Sequence, residues 1–142
     1  MEELTGHLVM VHPSLKNDPV QRQGEIGIIT SADLVKDEVY VGFGNNPLGL
    51  YSTDALLMLR HPSVIYGDIL THIKELDIPD FKMLMEITLL QEKNSANYLR
   101  DAMELAATNE KTLAYSTVSM QEALGVVLNE TQAQSQKAYL NR

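Results

Sequence analysis

The first sixty residues contain short apolar-rich runs separated by turn residues such as glycine, proline and asparagine, and residues 38–43 alternate apolar with other side chains. An alternation with a period of two is typical of β-strands, because successive side chains point to opposite faces of a sheet. Pro13 ends the first run, since proline cannot donate a hydrogen bond to a neighbouring strand. The pattern predicts five short strands near residues 6–11, 24–30, 38–43, 48–52 and 55–59. Strands this short and this closely spaced favour a small closed barrel.

After Pro62 the apolar residues recur at about 3.6 positions, which is the repeat of an α-helix. Ser63 is expected to cap the first helix. A second helix is expected at Pro79, with Asp77 or Asp80 at its start, where the helix dipole favours negative charge. The apolar stripe of the first helix contains Ile65, Ile69, Ile73 and Leu76.

Two more helices are indicated further along the chain. Ser95 is expected to cap a third helix, and a short turn is expected from Leu113 to Tyr115. Residues 119–122, Ser-Met-Gln-Glu, form a capping box, in which the serine hydroxyl and the glutamate carboxylate each accept from a backbone N–H. The helical segment therefore contains three to four helices, and its polar, glutamine-rich tail is expected to fray from about residue 132.

The joint between the two halves consists of residues 60–63, Arg-His-Pro-Ser, and is too short and stiff to act as a flexible linker. Residues 56–59 are apolar at every position, which is typical of a strand covered on both faces. We therefore expect an α+β protein in which a five-stranded barrel in residues 1–61 packs against a helical segment in residues 62–142. Leu56 and Leu57 are expected to face opposite sides of the sheet.

The order of the runs at residues 8–11, 24–29 and 39–43 resembles that of an Src-homology-3-like small barrel. Gly24, Gly27 and Ile29 are similar to the Gly-x-x-Gly-x-aliphatic step of its KOW subgroup, which is found in ribosomal and transcription-associated proteins. The resemblance covers about residues 4–59 and implies the barrel fold. The whole chain resembles conserved bacterial proteins that join such a barrel to a few helices.

Charge and composition exclude several classes of function. The chain has 11 basic and 19 acidic residues, a net charge of −8, and no cluster of lysine or arginine. Nucleic-acid binding draws most of its affinity from such clusters, so the charge argues against a nucleic-acid partner. The absence of cysteine excludes thiol catalysis and cysteine-based metal sites. No signal peptide or membrane-spanning run is recognised, so we expect a cytoplasmic protein without membrane contact.

No catalytic motif emerges from the sequence. There is no Gly-x-Ser-x-Gly and no Ser-x-x-Lys, and Gly42-x-Gly44 lacks the third glycine of a phosphate-binding loop. Asp68 and His72 are four residues apart on the first helix, where they form either a catalytic or ligand pair or an exposed helix pair. We predict no catalytic residue, no cofactor and no metal site, and hence a protein that is not an enzyme.

The aromatic residues Tyr40, Phe43 and Tyr51 fall on or beside adjacent predicted strands. Small barrels of this type bind peptides through aromatic grooves. Alternatively, the helical half covers that same face. The leading hypothesis is a non-catalytic module that binds a protein or peptide through these three residues. The KOW resemblance implies a ribosome- or transcription-associated accessory protein as an alternative. A third hypothesis is a small-ligand binder or enzyme with its site between barrel and helices, at Asp68, His72 and His61.

Overall fold

A computed structural model describes residues 4–15, 22–44 and 48–125, and these residues form an α+β fold. Its six strands are β1 (Leu8–Val11), β2 (Ile26–Asp33), β3 (Glu38–Gly42), β4 (Gly49–Tyr51), β5 (Leu56–Leu59) and β6 (Thr117–Ser119). Its helices are α1 (Pro62–Thr71), α2 (Ile78–Glu92), α3 (Ala96–Ala106), α4 (Glu110–Ser116) and α5, of which residues 120–125 are described. Short 3-10 helices cover Thr53–Ala55 and Ile73–Glu75. The predicted tail from residue 132 lies outside the described residues.

The six strands make one antiparallel sheet in the order β4-β3-β2-β1-β5-β6. Strands β1 to β4 follow one another as a meander, and β5 returns to pair with β1. Within the described residues β4 and β6 do not pair, so the sheet is open and the closed five-stranded barrel is not confirmed. The sixth strand, which sequence reasoning missed, pairs with β5 and comes from the helical half. It has three residues, too few to display a period of two.

Several predicted caps are confirmed by hydrogen bonds. The Asp77 carboxylate accepts from the backbone N–H of Asp80 at 2.9 Å and begins α2. The Ser95 hydroxyl accepts from Tyr98 N–H and begins α3. The hydroxyl of Ser119 accepts from the backbone N–H of residue 122 at 3.1 Å, as expected for the capping box.

Two expectations about the helices were wrong. Helix α1 is capped by His61 and not by Ser63, because His61 Nδ1 accepts from the Ser63 N–H at 3.1 Å. The turn expected near Leu113 is the helix α4, which begins at a further cap, where Asn109 Oδ1 accepts from Thr112 N–H at 2.9 Å. The described residues therefore contain five α-helices where three to four were predicted.

Gly27 on β2 explains how closely β2 and β3 approach. A Cβ atom added there would lie 2.8 Å from the carbonyl oxygen of Gly42, a distance at which the backbone would have to move. Only glycine fits such a contact between strands. Two residues further on, the register of β2 against β3 shifts between Ile29 and Ser31, which marks a bulge.

The sheet separates two apolar layers. Its inner face, which we define as the face covered by Met120 of α5, carries Val9, Val11, Ile29, Val39, Val41, Tyr51 and Leu56. On its outer face, Met10 and Leu57 pack against Met103 of α3. A third cluster holds the helices together and contains Ile65, Ile69, Leu84, Ile87, Ala102 and Ala106. Strand β5 is thus covered on both sides, as its run of apolar residues predicts.

Leu56→Ala and Leu57→Ala should each lower the free energy of unfolding by roughly 2–5 kcal/mol, because each leaves a cavity in a different apolar layer. The two leucines are 0% and 6% exposed and point to opposite faces of β5, as expected. Urea unfolding followed by far-ultraviolet circular dichroism and by tyrosine fluorescence measures the loss. Both probes should report one transition.

Leu70→Ala is the matched control, because Leu70 is 55% exposed on α1 and its truncation should change stability by no more than about 0.5 kcal/mol. A loss at Leu56 or Leu57 no larger than the loss at Leu70 would contradict the double coverage of β5.

Candidate functional site

The three aromatic residues singled out in the sequence do not line one groove. Tyr51 is 4% exposed and lies in the inner core. Phe43 is partly buried against that core, with its ring edge-on to Tyr51 at 6.4 Å and the Arg22 guanidinium 5.7 Å from its centroid. Tyr40 points to the outer face and is 38% exposed. Only Tyr40 of the three stands on an accessible face of the sheet.

Around Tyr40 the outer face carries an exposed apolar surface, which we call the outer patch and define as Ile28, Tyr40, Leu48 and Leu50. These side chains are between 38% and 54% exposed. Tyr40 and Leu50 are direct partners across β3 and β4. Ile28 is paired with Gly42, over which Leu48 lies, since a Cβ on Gly42 would be 3.4 Å from Leu48 Cδ2. The four side chains therefore form one continuous surface, which extends over β2, β3, β4 and the residue that precedes β4.

The helices cover only the other half of this face. Met103 of α3 packs with Met10 and Leu57, and Ile26 packs against this cluster, so the covered part belongs to β1, β5 and the beginning of β2. No helix in the described part of the chain covers the outer patch. Alternation along the strands could have placed Ile28 and Leu50 on the face of Tyr40, but it carries no information about where the helices end.

Apart from the outer patch, a group of polar residues lies at the joint between β5 and α1. Arg60 is at its centre and links several elements. Its Nη1 donates to Asp68 Oδ2 at 2.7 Å and to the Tyr115 carbonyl at 2.9 Å. Its own carbonyl accepts from Gln91 Nε2 at 2.8 Å, and its N–H donates to the Ser116 carbonyl. Arg60 thereby connects the end of β5 to α1, α2 and α4.

Asp68, His72 and His61 do not converge on a common point. The Asp68 carboxylate is paired with Arg60, and His72 Nδ1 donates to the Asp68 backbone carbonyl at 3.0 Å. The His72 ring stands edge-on to Tyr115 at 6.0 Å. His61 uses Nδ1 to cap α1. The spacing left a catalytic or ligand pair and an exposed helix pair open, and the structure shows neither contact, because the Asp68 carboxylate binds Arg60 and the His72 ring bonds to the Asp68 backbone carbonyl.

Two further results concern residues 4–15, 22–44 and 48–125. No three His, Asp or Glu side chains in them are placed to hold a metal ion together. None of their helices is both long enough and apolar enough to span a membrane.

Burial raises the pKa of the Tyr115 phenol above its ordinary value of 10.0, and the negative charges of Glu75 and Asp68 raise it further. The unfolded chain therefore releases this proton at a lower pH than the folded protein does. The resulting contribution to stability is complete below pH 10.0 and is lost as the pH rises through the folded pKa. We expect the difference in absorbance at about 295 nm between wild type and Tyr115→Phe to titrate above pH 10.0.

Glu75→Gln tests the cause, because removing this charge should lower the pKa of Tyr115 while leaving the phenol in place. A difference titration centred at or below pH 10.0 in the wild type would show that burial and charge do not act on Tyr115.

Comparison with known proteins gives no family to which this site can be referred: no protein-family model, no curated protein and no solved structure matches the chain.

Proposed function

We propose that the protein is a non-catalytic interaction module that binds a partner protein or peptide through the outer patch. The observation that carries this proposal is the uneven covering of one sheet face. Helix α3 covers the part of the face on β1, β5 and the beginning of β2, whereas Ile28, Tyr40, Leu48 and Leu50 stay exposed beside it. Contiguous exposed apolar side chains on a folded domain mark surfaces that a partner covers.

The position of the patch supports a peptide or an extended segment as the partner. The patch reaches β4, which is the last strand on its side of the described sheet. A strand in that position offers backbone N–H and C=O groups to an added strand, and the neighbouring Tyr40 and Leu50 would contact its alternate side chains. With a net charge of −8, the chain favours neutral or basic partners over acidic ones.

We further propose that β1 to β5 correspond to an Src-homology-3-like unit of the KOW type that has been extended by β6. The consecutive antiparallel pairing of β1 to β4 and the return of β5 to β1 support this assignment. Gly27, one of the residues that carry the resemblance, stands where the backbone of β3 approaches β2. The assignment adds a fold to the proposal and no activity.

Charged substitutions on the patch test the function. Tyr40→Lys and Leu50→Lys should each abolish capture of a partner by immobilised protein, because a lysine would have to lose its hydration on binding. Both side chains are exposed, so the free energy of unfolding should change by no more than about 0.5 kcal/mol. Affinity capture from bacterial cytoplasm, followed by mass spectrometry and by titration of each purified candidate, gives the measurement.

Val35→Lys is the matched control, since Val35 is 98% exposed in the turn between β2 and β3, away from the patch. It should retain every partner that the wild type binds. Equal binding by wild type, Tyr40→Lys and Leu50→Lys would refute the patch as the docking surface. Capture that disappears after nuclease treatment would refute a protein partner and favour the ribosome- or transcription-associated alternative.

A further inference from the structure

A cavity separates the sheet from the helices at the joint, on the side of the molecule formed by the ends of β5 and α2. Its volume is about 340 Å³, at the lower end of the range for sites that bind small molecules. It opens to solvent, and its walls come from the beginning of β1, the end of β5, the joint, the end of α2 and α3. A metabolite-sized ligand would fit it.

The walls of this joint cavity are of two chemical kinds. The apolar wall contains Leu8, Met58, Leu59, Leu99 and Met103. The polar wall contains His7, Arg60, His61, Gln91 and Asn94. No carboxylate lines the cavity among the described residues, although the chain as a whole carries 19 acidic residues.

Hydrogen-bond donors remain available on the polar wall. Arg60 uses Nη1 for Asp68 and the Tyr115 carbonyl, and its other guanidinium N–H groups donate to none of the described residues. His61 accepts the Ser63 N–H at Nδ1, so the proton of its neutral ring is on Nε2, where it is a donor. Asp68 offsets part of the Arg60 charge, but it leaves these donors in place.

Helix ends add a positive field. Helix α1 begins at Pro62, which lines the cavity, and α3 begins two residues after Asn94, which also lines it. Each helix N-terminus carries a partial charge of about +0.5. The C-terminal end of α2, near Gln91, contributes an opposite partial charge. Two helix N-termini, which favour an anion, and one C-terminal end, which opposes it, therefore lie beside the polar wall.

We infer that the joint cavity binds a small carboxylate with an apolar body. The carboxylate accepts hydrogen bonds from Arg60 and His61, and the apolar body lies against Leu59, Leu99 and Met103. This inference rests on the joint cavity alone and is independent of the outer patch, which lies on other strands.

Octanoate, octanamide and octylamine are matched probes, because they share one chain and differ in the charge of the head group. Isothermal titration should give saturable binding of octanoate at one site, with an affinity at least about tenfold above that of octanamide, and no binding of octylamine. In nuclear magnetic resonance spectra, octanoate should shift the side-chain amide signals of Gln91 and Asn94. Absence of saturable binding up to about 10 mM octanoate, or equal binding of the amine, would overturn the inference.

Leu99→Trp should fill the apolar end of the cavity and weaken octanoate at least about tenfold while retaining the donors. Leu99 is partly buried on α3, so circular dichroism is used to verify that the variant is folded. Leu70→Trp introduces the same side chain on the exposed face of α1 and should bind octanoate within about twofold of the wild type. Undiminished binding by folded Leu99→Trp would place the ligand elsewhere and overturn the inference.

Asn94→Gly gives a second test that spares the fold. Asn94 has a φ of 53°, a left-handed conformation that glycine adopts without strain, so this change removes the amide from the rim and leaves the backbone as it is. The variant should still bind octanoate. The side-chain amide signal of residue 94 disappears with the substitution, but octanoate should still shift the side-chain amide signal of Gln91. Loss of the Gln91 shifts in this folded variant would overturn the assigned position of the ligand.

Discussion

Strand β5 is the element on which the rest of the structure depends, because it is enclosed on both faces and along both edges. Leu56 lies in the inner layer and Leu57 in the outer one, while β1 and β6 pair with its two edges. Burial of apolar surface is the main favourable contribution to folding, and β5 supplies buried side chains to both apolar layers. Since β6 comes from the helical half, the two halves of the chain share a sheet as well as a core.

Arg60 connects strand β5 to the helices. Directly after β5 its side chain and backbone bind α1, α2 and the end of α4. An arginine can satisfy several acceptors at once because its guanidinium group presents five N–H donors in a fixed plane. The hydrogen bond from Gln91 Nε2 to the Arg60 carbonyl joins the end of β5 to α2, and both residues line the joint cavity.

Helix α3 covers only part of the outer face, and the outer patch follows from that asymmetry. The outer patch lies on the part of the outer face that α3 leaves exposed, and the joint cavity lies between the sheet and the helices. The histidines of this region act as helix ends: His61 begins α1, and His72 bonds back to its last turn. Both imidazoles thus form local hydrogen bonds with the backbone, while the Asp68 carboxylate is paired with Arg60.

The sequence by itself determined the features that depend on neighbouring residues. The periods of two and 3.6, the caps at Asp77, Ser95 and Ser119, and the double coverage of Leu56 and Leu57 all follow from local patterns of apolar and polar positions. These patterns are readable because a side chain's direction along a strand or helix is fixed by backbone geometry. The α+β class follows from them as well.

Only the tertiary structure decided what depends on residues distant in the chain. The pairing of β6 with β5 joins segments about sixty residues apart. The three residues of β6 are too few to show the period of two that would predict a strand. Alternation separates Tyr40 from Phe43 along the chain, but Tyr51 lies on another strand, and its place in the inner core depends on the pairing of β4 with β3. Which half of a sheet face the helices cover is settled by packing between layers, and no local pattern of residues encodes it.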